Sequence, residues 1–364
     1  MSWIVLFFAF QVVLFMLPLL PALVEWRVRR DAQPLKVVRD YDGNIKHFAN
    51  RFRQFLGEQF AELAQAAGAA TVPRNGRLAT GDRYQLVGAD GTPSITEQER
   101  AAQAMQQLVL GTGALELGQG LLYEKEVFAA GAIRTGNGNS FRALLARGDI
   151  VLGEQCDVLR WAHSDTRLTA GRRARLFGRV SANQELVLHG ETRFGRMHAP
   201  TIRFGAALPA PLPQPQPASR KALERPAALL DDAAGRWLAG GDLDVPEACL
   251  HHGNLVARGS MTLGMHAMIE GSIKCHGDLH VAAGARIDGA LVCSGNMFIG
   301  PGCTIRGPLV CEKSIEIDAG TVLGSDSAET TVTAVEIRVR EGAVAHGTVW
   351  ARELGYVVPA ATIS

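Results

Sequence analysis

The chain has 364 residues, with 37 Lys plus Arg against 36 Asp plus Glu, 40 Gly, and only 6% aromatic residues. Balanced charge excludes the global field that draws a protein onto nucleic acid, and many glycines with few rings suit tight turns around a thin aliphatic interior. The six cysteines, Cys156, Cys249, Cys275, Cys293, Cys303 and Cys311, form no CxxC pair and have no His partners at zinc-finger spacing, so no metal or cofactor is expected.

From Trp3 to Val24 there is no charged side chain, a stretch long enough at ~1.5 Å per residue to cross a hydrocarbon core of about 30 Å. Trp3, Phe7, Phe8, Phe15 and Val24 mark this expected anchor, residues 1–26. The rival, a secretory signal peptide, wants a basic region before the apolar run. Here the basic residues follow it, as Arg27, Arg29 and Arg30, then Lys36 and Arg39. The positive-inside rule then puts the N-terminus outside and the rest in the cytoplasm, a single-pass protein of the inner membrane. Pro18 and Pro21 leave a kinked or re-entrant insertion open.

Residues 27–123 read as a juxtamembrane α-helical and mixed region. Ile45, Phe48, Phe52, Phe55, Leu56, Phe60 and Leu63 fall at helical spacing and form one apolar stripe, which predicts a helix docked on the soluble part. Ser94 with Glu97 gives a capping-box pattern that predicts a helix to about Leu108.

The chain then repeats itself. Gly241, Gly259, Gly277 and Gly295 stand at one constant spacing, and Gly253, Gly271, Gly289 and Gly307 share it, each number 18 above the last. Apolar columns keep the same period: Leu263, Val281, Ile299 and Ile317; Leu279 and Ile315; Ile269, Ile287 and Ile305; Leu255, Ile273, Leu291 and Leu309; Cys275, Cys293 and Cys311. Within a unit the inward pairs fall at i and i+2 and recur at i+6, so each unit makes three short strands. This predicts a mainly β fold, a three-sided β-helix of about 18 residues per coil, whose strands pair with their copies above and below. One coil cannot offset the entropy of ordering it, so stability must come from the stack.

A less regular run precedes this one. Ile150, Leu168 and Leu186, then Leu152, Ala170 and Leu188, then Val158, Leu176 and Phe194 repeat with the same period. Residues 124–205 are therefore a first β-helix segment, 206–240 a Pro-rich linker with a short helix, 241–352 a second segment and 353–364 a tail. From Gly148 to Gly241 the chain advances by five coils and three further positions. The linker breaks the phase, so two solenoids, or one with a looped-out insert, both stay open.

Three constellations invite chemistry. The stacked Cys275, Cys293 and Cys311 are within disulfide reach, but parallel stacking aims their Cβ bonds alike and predicts buried free thiols. His251, His252, His266, His276 and His280 gather in one short stretch of the second segment. Left-handed hexapeptide-repeat acyltransferases use a histidine on coils of this length, and the stretch Ile299 to Ile305 is similar to theirs. The columns nevertheless spread these histidines over different faces, with only His251 inward. Arg172, Arg173 and Arg175 make a basic cluster read as a solvated face.

The run from Gly253 to Gly324, with Gly-Asp-Leu at 277–279 and Ala-Gly-Ala-Arg-Ile-Asp-Gly at 283–289, resembles the bactofilins, bacterial polymer-forming cytoskeletal proteins. The resemblance implies a right-handed β-helix, nucleotide-free self-association through the solenoid ends, attachment to the inner membrane, and a role in cell shape or in siting envelope machinery. On this reading the partners are further copies of the chain, the inner membrane and envelope-associated proteins, without nucleic acid, and the chain is not an enzyme. The alternatives are the acyltransferase class and an adaptor that does not polymerise. The chain departs from the family in its large N-terminal region and doubled solenoid.

Overall fold

A computed structural model describes residues 2–17, 45–67, 73–206, 220–224, 230–231 and 236–360. Residues 1–44 and 45–364 form two units. In the first, the helix α1, Ser2–Met16, leaves Trp3, Phe7, Phe8 and Phe15 exposed. Among the described residues no helix is long and apolar enough to cross a membrane. Val24, Arg27, Arg29 and Arg30 lie outside the described residues.

The second unit is mainly β, a solenoid of about 13 turns at ~18 residues per turn. Each complete turn supplies three short strands. Leu243–Val245, Cys249–His252 and Asn254–Ala257 belong to what we call rows 1, 2 and 3 of the second run of turns. Every strand then pairs in parallel with its copy a turn later, as in Ile273↔Leu291↔Leu309 and Leu279↔Met297↔Ile315. In the first run, Ile150–Leu152 belongs to row 1, and rows 2 and 3 merge into longer bent strands such as Asp157–Ser164.

Alternation by two sends one set of side chains into a single apolar core that runs from Val87 to Val357. Leu255, Leu263, Ile269, Ile273, Cys275, Leu279, Val281, Ile287, Leu291, Cys293, Ile299, Ile305, Leu309, Cys311, Ile315 and Ile317 are all buried within it. Their small uniform size is what lets one turn lie on the next at about 4.8 Å.

The bends use glycine in two ways. Ala248, His266, Gly284, Gly302 and Gly320, one from each successive turn, all take positive φ between 51° and 72°, and glycine does so without strain. Gly271, Gly289 and Gly307 serve close approach instead, since a Cβ on each would run into the backbone of the glycine one turn earlier. A polar ladder runs along the bend between rows 3 and 1: Asp242 accepts from the Ser260 amide at 2.7 Å, Ser260 from the Asp278 amide at 3.1 Å, and Asp278 from the Asn296 amide at 2.7 Å.

Four sequence expectations change. Where residues 206–240 are described, the expected short helix is replaced by strands, Lys221–Ala222, Leu230–Asp231 and Arg236–Ala239, because Lys221–Ala222 and Arg236–Ala239 pair with the second run. The helix expected over 94–108 is confined to α3, Glu97–Ala102, following α2, His47–Ala67. Its capping box is Thr96 with Glu99, and Gln103 ends it in the left-handed region at φ 50°. Ala104–Met105 and Leu108–Gly111 are strands, because pairing with Leu122–Ala129 outweighs the local helix preference. Parallel pairing already joins Tyr84 to Leu108, so turns begin well upstream of residue 124. At the other end the strand Val344–Val358 carries the ladder past residue 352.

Candidate functional site: ends and junction of the solenoid

For a stack of strands, the chemistry of association lies at its ends, where the last turn exposes unpaired amides and carbonyls above an apolar core. The last turn of the first run, Arg193–Phe204, pairs antiparallel with the last turn of the second, Val344–Val358. The two runs therefore meet C-terminal turn to C-terminal turn. Row 3 meets row 3 at Arg196↔Trp350 and Met197↔Val349; row 2 of the first meets row 1 of the second at Phe194↔Gly355; row 1 of the first meets row 2 of the second at Ile202↔Ala345. Main-chain bonds close all of them, with Val357 donating to Thr192 at 2.9 Å, Glu191 to Val357 at 2.8 Å and Phe204 to Ala343 at 3.1 Å.

Side chains add to this seam. The Arg196 guanidinium lies 5.0 Å over the Trp350 ring, His198 Nδ1 is 3.1 Å from Thr348 Oγ1, and His346 Nδ1 is 2.9 Å from the Pro200 carbonyl. Burial holds the His198 imidazole below its ordinary pKa. The phase break between the runs has its reason here: the second run begins at the far end, where Lys221–Ala222 pairs with Cys249–Leu250, and winds back.

The two outer ends differ. At the start of the first run, the hairpin Arg74–Arg77 with Arg83–Val87 opens row 3, a bridge from Gly91 to Leu115 covers row 1, and Ile95 packs on the core. At the start of the second run, Leu230–Asp231 pairs with Arg236–Ala239 in row 3, and Lys221–Ala222 lies on row 2. Row 1 there begins at Leu243–Val245, whose described pairing is to Met261–Leu263. His251 is buried beneath Trp237, ring centroids 4.3 Å apart, and its Nε2 has no described partner.

α2 lies along row 3 of the first run. Phe52, Leu56 and Phe60 are buried against Leu110, Phe128, Leu145 and Trp161, with the Phe60 and Phe128 rings edge to face at 4.7 Å. Beside this contact His163, 1% exposed, has Nδ1 2.8 Å from Ser181 Oγ and Nε2 3.2 Å from Asp165. Asp165 also pairs with Arg53 of α2, and Lys46 donates to Asn183 at 2.7 Å. This serine, histidine and aspartate chain has the connectivity of a nucleophile relay, yet Ser181 is 2% exposed. Its role in the fold is to tie the helix to the stack. Burial, then the Arg53 charge, pushes His163 down to about 4.

The remaining histidines do not converge. His252 ends row 2 beside Glu270 at 2.8 Å, His266 sits in a bend, His276 follows row 3, and His280 stacks on Phe298 in row 1 at 4.5 Å. That stacked pair lines an open groove of about 800 Å³ with Thr262, Glu316, Arg338 and Arg340. Arg172 and Arg173 share Glu191 at 3.6 and 3.7 Å, and Arg175 is held by Asp157 at 2.6 Å. All six cysteines are free and buried. Among the described residues no group of three His, Cys, Asp or Glu side chains is placed to hold a metal ion. Sequence reasoning missed the seam and the His163 network; the recurrence of His163, Ser181 and His198 at nearly one-turn spacing in an outward column was the available signal.

No protein-family model, no curated protein and no solved structure matches this chain.

Proposed function

We propose that this protein is a membrane-anchored structural scaffold of bactofilin type, a right-handed three-sided solenoid that associates with further copies of itself and organises envelope or cell-shape machinery. What supports the reading most is the seam, an internal antiparallel contact between two final turns, which is the kind of end-to-end pairing that self-association would use. In this chain that contact is made internally, so two of the four ends are used up. The hairpin, the Gly91 bridge and Ile95 cover a third. The start of the second run, around Leu243–Val245, is the end we assign to self-association, and the product expected is a pair of copies rather than an unlimited filament.

Light scattering and electron microscopy of the purified chain test this. Two-copy rods joined at residues 236–252 support it, and Leu243→Lys would separate them. A chain that stays monomeric at high concentration sinks the self-association, and long filaments sink the assignment of a covered first end.

A further inference from the structure

α2 has an apolar flank that its docking leaves unused. Phe48 and Phe55, 39% and 38% exposed, lie on the side opposite Lys46 and Arg53, which bond to Asn183 and Asp165. This flank faces the bend between rows 2 and 3 of the first run, because the Arg179 guanidinium sits 5.0 Å over the Phe48 ring. In that bend Leu159 and Phe177, 43% and 58% exposed, occupy equivalent places in consecutive turns, since Val158 pairs with Leu176 and Trp161 with Arg179. Arg175 lies 5.6 Å over the Phe177 ring, and Arg160 and Arg51 are exposed nearby. In the neighbouring column, which runs from Trp161 through Arg179 and Arg196, comes Trp350, 41% exposed.

The charge on this ridge is uneven. Asp157 is held by Arg175 at 2.6 Å and Glu126 by Arg142 at 3.2 Å; Glu62, Glu124 and Glu353 are exposed, and Arg51 and Arg160 are exposed beside the rings that Arg179 also flanks. Exposed rings and aliphatic groups interleaved with arginines suit a headgroup layer, where the apolar part enters the acyl boundary and the guanidinium meets phosphate. We infer that this ridge, Phe48, Phe55, Leu159 and Phe177 with Arg51 and Arg160, is a lipid-contacting surface by which the solenoid lies on an anionic bilayer. It deepens the membrane part of the reading above and rests on it.

The test uses the full chain carrying Phe177→Cys, labelled with an environment-sensitive NBD dye; the native thiols are buried. Val151→Cys, on row 1, is the control position. With vesicles of equal parts phosphatidylcholine and phosphatidylglycerol, the label at 177 should brighten and shift to the blue, and the label at 151 should not. Arg160→Gln and Arg51→Gln should each weaken that response by about fivefold. Three results overturn the inference. If the chain floats with the vesicles while the label at 177 stays in water, the ridge fails and the anchor stands. If the chain does not float, both fail. If the label shifts without lipid as protein concentration rises, the ridge meets a second copy instead.

Discussion

The Phe194 ring occupies the space in which a side chain at Gly355 would begin. These two residues pair across the seam, so the closest approach of the two runs depends on a glycine. Gly355→Val is expected to cost about 1 to 3 kcal/mol by overpacking and to raise hydrogen exchange in Arg193–Phe204 and Val344–Val358 before the rest of the stack. Gly241→Ala, where a Cβ meets nothing within 4 Å, should leave urea unfolding almost unchanged.

Docking of α2 should depend on pH. His163 is held neutral in the fold, down to about 4, against about 6.5 in an unfolded chain. The unfolded state therefore binds more protons between those values. The stabilisation is complete above pH ~6.5 and is lost as pH falls towards ~4, by on the order of 3 kcal/mol. Exchange of the α2 amides should rise through that window, and His163→Phe, which cannot take up the proton, should flatten the dependence. A flat profile in the parent protein would contradict the role given to His163.

Inward and outward positions of one strand should respond differently. Ile273→Ala empties a buried site in row 3 and is expected to cost about 2 to 5 kcal/mol. Its exposed neighbour Lys274→Ala should lie within about 0.5 kcal/mol of the parent in chemical denaturation.

The thiols should be silent in the folded protein. All six are buried and so shielded from reagent; burial also pushes Cys303 up to about 11, so little of its thiolate forms at neutral pH, whereas Cys275, lowered by its contact with Cys293, is silenced by burial alone. Maleimide should label none natively and all six after denaturation. Rapid native labelling of Cys275, Cys293 or Cys311 would show that the interior column opens.

The second run was legible because its turns keep one length as far as Leu323, so Leu255, Ile273, Leu291 and Leu309 stand in a strict column. The start of the first run was not, because the pairs Ile133↔Ile150 and Phe128↔Leu145 each fall one position short of the regular repeat, which dislocates the frame. A slip by a single position moves every side chain of a strand to the other face, so a fixed period loses the pattern there. Of α2, the sequence showed one wide apolar stripe; the structure divides it into Phe52, Leu56 and Phe60, which dock, and Phe48 and Phe55, which do not. The seam joins segments far apart in the chain and running in opposite directions, and no local period encodes a pairing of that kind. Only the phase break at the linker hinted at it.

The seam is also the feature most directly open to measurement. His198 and Thr348 face each other across it, at the spacing of opposed antiparallel residues, about 4.5 to 5.5 Å between Cα atoms, which a disulfide spans. In the chain carrying His198→Cys and Thr348→Cys, mild oxidation should form a bond within one copy, seen as a faster-migrating monomer on a non-reducing gel. No bond, or bonds only between copies, would contradict the internal joining of the two final turns.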